Sequence, residues 1–334
     1  MRNLKIKLQK LIKHVRFIKN PILVKRILNG YFNTVVLRRN TLRSIELAIT
    51  YQCQAKCHKC YSANLNEMQR DYLTVEQIRT VIEQAMVLGI IHVNITGGEP
   101  TLRKDILEVI KACRPREIMV SLVTNALTLT REKMQLLKEA GLNTIQISLD
   151  SANQEKHDKL RGVSGCYDKV MEAASWARET DINLCFSTVL STEDSSNKGE
   201  MHKLLDLAER EKAFLLICDS AAVGRWEGQR EKMMTCAERN RVLENLMKHP
   251  VARHHNMYNF RMKTGCPAGI EKIYITAYGD VTPCDLIHDS FGNVLNEDLR
   301  IIWKRICSHP LYSQKMYDCI RYLEEFKMRH HCEI

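Results

Sequence analysis

Ser44-Ile-Glu-Leu-Ala-Ile-Thr50-Tyr-Gln-Cys53-Gln-Ala-Lys-Cys57-His-Lys-Cys60-Tyr61 is the stretch on which the fold turns. Residues 44–50 are a short β-rich run, and directly after it comes a polar loop carrying cysteines in a C-x3-C-x2-C spacing. Three thiolates this close can converge on one metal centre, and soft sulfur ligands favour an iron–sulfur cluster or zinc. Three ligands leave one position open. A four-iron cluster would offer that open iron to a substrate or cofactor, whereas zinc would need a fourth ligand from elsewhere, with His58 badly placed inside the loop. Three unrelated buried cysteines on one short polar loop is the competing reading.

Downstream of this loop, β-rich runs alternate with longer helical ones. Strands are expected over residues 44–50, 92–96, 118–124, 144–149, 183–189 and 213–218, with helices over 75–88, 104–113, 131–140, 167–180 and 198–210. Thr74 and Thr130 stand where helix N-caps belong, and Gly89 and Gly141 where helices stop. Six strands alternating with five helices predict an α/β fold, a parallel sheet either curved into a partial (β/α)6 TIM-like barrel or left open. Function then belongs at the carboxyl ends of the strands. After Cys218 the texture changes. Residues 225–241 are highly charged, a hairpin is expected over 272–276 and 281–283 around Tyr278-Gly279-Asp280, and helical patterns at 298–307 and 315–327 finish the chain. The last hundred residues read as a small appended α+β module.

With 334 residues, 45% of them apolar and 27% charged, the chain can bury a substantial core. No run of 18 apolar residues exists and the first 30 residues lack a secretory pattern, so a cytoplasmic protein is expected. Thirteen cysteines in such a chain read as metal or redox ligands where clustered and as small buried hydrophobes elsewhere. The formal net charge is +11, yet residues 1–45 hold twelve Lys and Arg and no acid, so the excess belongs to the N-terminus. Apolar positions from Leu4 to Ile18 and from Val24 to Val35 follow helical spacing on either side of Pro21. Residues 1–43 are therefore expected to be a basic amphipathic helical arm, either packed on the main domain or lying on a membrane surface, peripheral to the cytoplasm. The rest of the chain is not basic, which argues against nucleic acid as a partner. The expected division is the arm at 1–43, a core barrel at 44–225, and a linker helix with the small module at 226–334.

Cys53, Cys57 and Cys60 after a first strand resemble the cluster motif of the radical S-adenosylmethionine (SAM) superfamily. Thr96-Gly97-Gly98-Glu99-Pro100 at the end of the second strand is similar to the family's segment that holds the methionine amino group. Paired glycines permit close backbone approach, and a carboxylate complements an ammonium group. Asn125 follows the third strand as the family's Thr-Asn pair does. Ser148 and Asp150 resemble the segment that contacts the ribose, and Arg161 the arginine that pairs with the SAM carboxylate. Many relatives carry an aromatic residue before the third cysteine, where this chain has Lys59. The C-terminal Cys266-x12-Gly279-x4-Cys284, with Phe291-Gly292-Asn293 behind it, resembles the opening of the SPASM and twitch extensions. The full SPASM cysteine run is absent. Cys319 and Cys332 are the expected remaining ligands of an auxiliary cluster, with Cys307 also downstream.

The resemblance implies a [4Fe–4S] cluster that binds SAM, SAM itself and an auxiliary [4Fe–4S] cluster. It further implies a flavodoxin or ferredoxin as electron donor, and reductive cleavage of SAM to a 5′-deoxyadenosyl radical that takes hydrogen from a peptide, small-molecule or lipid-like substrate. A non-catalytic iron–sulfur or zinc scaffold is the alternative.

Overall fold

The computed structural model describes residues 20–66, 69–192, 198–255 and 266–313. Helix α1 (Pro21–Tyr31) opens them, with the Asn20 side chain accepting from the Ile22 amide. Pro21 thus starts the helix where the sequence suggested an interruption, because the first helical position has no amide partner to lose. Residues 32–36 carry α1 on as a π-helical turn, and the expected helix at Leu4–Ile18 lies outside the described residues.

The core then alternates as the periodicity implied. Strand β1 (Ser44–Ala48) leads to α2 (Val75–Leu88), β2 (His92–Thr96), α3 (Ile106–Ala112) and β3 (Met119–Thr124). After these come α4 (Arg131–Glu139), β4 (Thr144–Ser148), α5 (Gln154–Arg161), α6 (Cys166–Glu179), β5 (Asn183–Leu190), α7 (Lys198–Arg210) and β6 (Phe214–Asp219). Helix α2 shows why the boundaries were readable. Thr74 and Gln77 form a reciprocal capping box at its start, and Gly89 closes it in the left-handed conformation at φ 103°.

Helix α8 (Cys236–Leu246), β7 (Ala252–His254), β8 (Lys272–Ile275), β9 (Val281–Thr282), α9 (Leu299–Ser308) and the short α10 (Pro310–Ser313) complete the described chain. All nine strands among the described residues belong to one sheet in the order β7-β6-β5-β4-β3-β2-β1-β8-β9, with every pair parallel except β8–β9. The expected hairpin is present as β8 and β9. It does not stand apart from the core: β8 pairs in parallel with β1, so the C-terminal stretch continues the barrel sheet. An edge strand left with unpaired backbone groups is a natural place for such an addition. Strand β7, three residues containing Arg253 and His254, extends the opposite edge and carries no β signature of its own.

Alternation within the strands divides the protein into two regions. Ile45 and Leu47, Val93 and Ile95, Val120 and Leu122, and Ile145 and Ile147 are buried with Ile78, Ile82, Val109 and Leu137 of the surrounding helices. The other strand face supplies Glu46, Asn94, Gln146, Ser148, Ser187 and Cys218 to an interior cavity. The apolar core therefore lies between sheet and helices, and the inside of the barrel is polar. No helix among the described residues is long and apolar enough to cross a membrane.

The join between core and C-terminal hairpin is fastened at the start of β1. The Arg43 and Ser44 amides donate to the Glu271 carbonyl at 2.8 and 3.0 Å, and the Arg43 guanidinium meets the fully buried Glu271 carboxylate at 3.1 Å. Replacing one member of a buried pair leaves an uncompensated charge. Glu271→Ala is expected to lower the urea unfolding free energy by about 3 kcal/mol. A loss below about 0.5 kcal/mol, the range of ordinary surface substitutions, would show that the pair does not fasten the hairpin.

Candidate active-site cavity

The loop after β1 is held by its own backbone. The Gly98 and Glu99 amides donate to the Thr50 and Gln52 carbonyls, both at 2.8 Å, tying its first turn to the end of β2. The Lys56 and His58 amides donate to Arg161 and Leu160 at the end of α5, and the Arg225 amide donates to the Cys60 carbonyl at 3.0 Å. Two of these joints admit only glycine. A Cβ on Gly98 would sit 2.4 Å from the Gln52 oxygen, and one on Gly224 would sit 2.2 Å from the Cys60 oxygen, where the backbone also has φ +61°.

So fixed, Cys53, Cys57 and Cys60 border one cavity of about 270 Å³. Each sulfur has a polar neighbour: Asn125 Nδ2 at 3.7 Å from Cys53, Arg161 Nη1 at 3.7 Å from Cys57, and Ser62 Oγ at 3.6 Å from Cys60. Burial pushes the Cys53 thiol up to about 11 and also raises Cys57, against which the Arg161 charge pulls. Such thiols need a cation in the loop to become thiolates. A thiol-rich donor set with hydrogen-bond donors on its sulfurs fits an iron–sulfur cluster.

The other expected contacts gather at the same carboxyl ends. Gly97, Gly98, Asn125, Ser148, Asp150 and Arg161 all line the cavity. Glu99 and Pro100 do not. The Glu99 carboxylate, expected to meet an ammonium group, is fully enclosed and accepts from the amides of Thr101 and Asn125 and the hydroxyls of Thr101 and Thr124. Burial raises its pKa while these donors oppose the rise. At this segment the glycine backbone faces the cavity and the carboxylate shapes the loop behind it.

Asp150 and Arg161 meet at 2.9 Å, both largely buried. Burial alone would raise the Asp150 pKa, but the Arg161 and Lys59 charges outweigh it and hold the carboxyl below its ordinary value. The Arg161 Nε is buried without a hydrogen-bond partner. His157, whose role was not read from the sequence, accepts the Asp150 amide on Nδ1 at 3.2 Å. That contact puts the ring proton on Nε2, and burial drops the ring pKa to about 4, so a neutral imidazole positions Asp150. Lys59, in place of an aromatic residue, donates to the Val189 carbonyl at 2.9 Å and lies 5.8 Å from the Trp226 ring centroid.

The same cavity reaches Cys266 and Cys284. The Gly269 amide donates to the Pro283 carbonyl at 3.3 Å, bringing together the segments that carry them. Beside Cys284, Asp285 accepts from its thiol at 3.2 Å and from Lys272 at 3.0 Å, and the Glu46 carboxylate lies 3.8 Å from the same ammonium. Cys319 and Cys332 lie outside the described residues, and Cys307 bonds Asn40.

One group on the cavity wall had no motif to announce it. Asp219, His254 and His255 offer ligand atoms within 4.8 Å of one another. The Asp219 amide donates to His255 Nδ1 at 3.3 Å, which leaves the His255 proton on Nε2, the atom facing the carboxylate. His254 and Arg239 also reach that carboxylate. The cluster is a hydrogen-bonded wall, with the imidazole atom a metal would need already protonated.

Comparison with known proteins agrees with this geometry. The radical SAM superfamily profile matches residues 47–208, and that of an iron–sulfur cluster-binding domain, SPASM, matches 266–332. A PqqA peptide cyclase of Rhizobium meliloti is 27% identical over 271 residues, covering 76% of this chain and 72% of its own. An AdoMet-dependent heme synthase of Methanosarcina barkeri is 25% identical over 297 residues, covering 81% and 84%. Among solved structures, Streptococcus suis SuiB bound to precursor peptide SuiA superposes with a TM-score of 0.67 at 21% identity, covering 82% of this chain and 66% of SuiB. The chain thus spans about two thirds of SuiB's length. An anSMEcpe structure with bound AdoMet gives 0.61 at 16%, covering 82% and 80%. At such identities the superpositions speak for the fold, a TIM-like partial barrel. The two profiles place the cysteine loop in one domain and Cys266 to Cys332 in the other. This chain belongs to the radical SAM superfamily, as an enzyme with a C-terminal SPASM domain whose cofactors are a SAM-binding [4Fe–4S] cluster, SAM and auxiliary iron–sulfur centres.

Proposed function

We propose that this enzyme removes a hydrogen atom from a peptide substrate held between its two cysteine sets. Cys53, Cys57 and Cys60 hold the SAM-binding cluster; Cys266 and Cys284, with Cys319 and Cys332, hold the auxiliary one. The observation that carries the reading is the single cavity bordered by thiols of both sets. When bound, the first cluster and SAM supply a 5′-deoxyadenosyl radical by one-electron reduction from a flavodoxin or ferredoxin. The chain's own residues do the rest. The Gly97–Gly98 backbone and Asn125 bind the methionine end of SAM, Glu99 and Pro100 hold that turn in shape, and Ser148 and Asp150 meet the ribose. Arg161 meets the SAM carboxylate through the Nε that the protein leaves unpartnered. Enclosure by the barrel excludes water and aligns the substrate hydrogen, the protein's share in cofactor chemistry. A peptide is favoured by two relatives, one named for its PqqA peptide substrate and one crystallised with a precursor peptide. The arm of residues 1–43 adds a peripheral contact with a membrane surface.

Anaerobically reconstituted enzyme given SAM and dithionite is expected to form 5′-deoxyadenosine, measured by chromatography and mass spectrometry. Cys57→Ser should reduce the yield by at least about a hundredfold, since the cluster loses one of three ligands. Intact SAM beside a fully loaded, reducible cluster would sink the proposal. Cys284→Ser separates the two centres: iron per chain should fall by about half, from roughly eight to roughly four, with 5′-deoxyadenosine still formed. Unchanged iron content would remove Cys284 from the auxiliary ligand set.

Asp150→Asn tests the Arg161 pair. The carboxylate's depressed pKa means its contribution is complete above the ordinary aspartate value and fades only as the pH falls below it. At neutral pH the variant should raise the SAM KM about tenfold, and wild-type KM should stay flat between about pH 5 and 8 in this respect. A wild-type KM in the variant would place the pair outside SAM binding.

A further inference from the structure

Among the described residues, thirteen large apolar side chains are exposed, and eight of them fall within residues 22–37. They are Ile22, Val24, Leu28, Tyr31, Phe32 and Val35–Leu37, with Leu28 at 63% and Val36 at 58%. Helix α1 is amphipathic in an unusual sense, because Leu23, Gly30 and Thr34 of the same stretch face inward and are buried. Its inward side is anchored: Arg26 donates to the Met86 and Ile90 carbonyls, and Asn20 to that of Arg116. Those carbonyls precede β2 and β3, so α1 and the π turn cover the amino-terminal rim of the barrel, opposite the cysteine loop.

We infer that this outward face of α1 and the π turn is the surface that docks on an anionic lipid bilayer. The inference deepens the membrane contact proposed for the arm and is independent of the cavity's chemistry. Charge decides the occupant. Lys25, Arg38 and Arg39 border the apolar side chains, residues 1–19 carry seven more Lys and Arg, and no acid occurs before Glu46. A second copy of the same face, or residues 1–19 folded over it, would bring like charge against like charge. Nucleic acid would satisfy the cations but has no use for eight exposed apolar groups. An interface of acidic headgroups above acyl chains answers both features at once. Because the cysteine loop lies at the other rim, docking leaves SAM access unchanged.

Flotation of the full-length protein with vesicles tests this. Wild type should float with phosphatidylcholine vesicles containing phosphatidylglycerol and stay down with phosphatidylcholine alone. The triple variant Leu28→Ser, Phe32→Ser, Val36→Ser, altered only at exposed positions, should partition at least about tenfold less. Lys25→Gln and Arg39→Gln should each cost about fivefold. All variants should form 5′-deoxyadenosine at the wild-type rate. If the triple variant floats like wild type, the surface is wrong although the arm's membrane contact stands. If wild type does not float with anionic vesicles, both fail while the cavity's chemistry is untouched. Equal flotation with neutral vesicles overturns the charge argument, and a dimer in light scattering that the triple variant abolishes assigns the face to a second copy instead.

Discussion

Backbone hydrogen bonds to the loop after β1 are what the active site rests on. Its carbonyls and amides are answered from three separate places: the end of β2, the end of α5 and the turn after β6. The first and last follow a strand's carboxyl end and the second closes the short helix in the connection after β4, so the sheet must be correctly ordered before the three sulfurs can face one point. The converse also holds. A polar loop with this few apolar side chains cannot hold its own shape by burial, and backbone pairing to rigid neighbours substitutes for a core. Close approach of main chain to main chain is also why glycines stand opposite the loop at 98 and 224.

The barrel's interior shows what that arrangement costs. A TIM barrel usually fills its inside with branched apolar side chains, whereas here the inward positions of β1 to β5 include Glu46, Asn94, Gln146, Ser148 and Ser187. Stability has to come from outside the sheet, where Ile, Leu and Val of the strands pack on the helices. Several inward polar groups pair with one another: Ser44, His92 and Ser121 form one chain of hydrogen bonds, and Asn94 donates to Glu46 at 2.6 Å. Such networks rigidify a wall without filling it.

This division explains which features were legible in the sequence. Strands such as Thr144-Ile-Gln-Ile-Ser148 alternate strictly because one face meets helices and the other a polar chamber, so the six core strands and five of the core helices were readable by period. Helix α5 was not, since His157 is its one buried residue; only Asn153 at its N-cap and Gly162 at its C-cap marked it. Strand β7 was missed because three residues with Arg and His carry no periodicity. The cysteine triplet and the glycine pair stood out as local motifs, whereas the Asp219–His254–His255 wall is assembled from β6 and the end of β7, and sequence distance hid it. The continuity of β8 with β1 was invisible for the same reason: a hairpin's own residues say nothing about which strand its outer edge will find.

Charge near Cys284 obeys the same constraints. Glu46, Asp285 and the thiol converge on Lys272, whose burial would favour a neutral amine; the neighbouring acids and Cys284 nevertheless hold its pKa well above the usual lysine value. Asp285, with Lys272 beside it, is correspondingly held down at about 2. One buried cation thus serves two carboxylates and a sulfur. Thiolates formed at Cys266 and Cys284 without metal would add to the negative charge there, whereas thiolates bound to an iron–sulfur core have their charge offset by the iron, and Lys272 stands as counter-ion to what remains. The same balance holds at the other end of the cavity, where Arg161 is shared between Asp150 and Cys57. At both ends the protein places one fixed cation against an acid and a thiol, so a counter-charge supplied by the fold stands beside each set of ligand sulfurs.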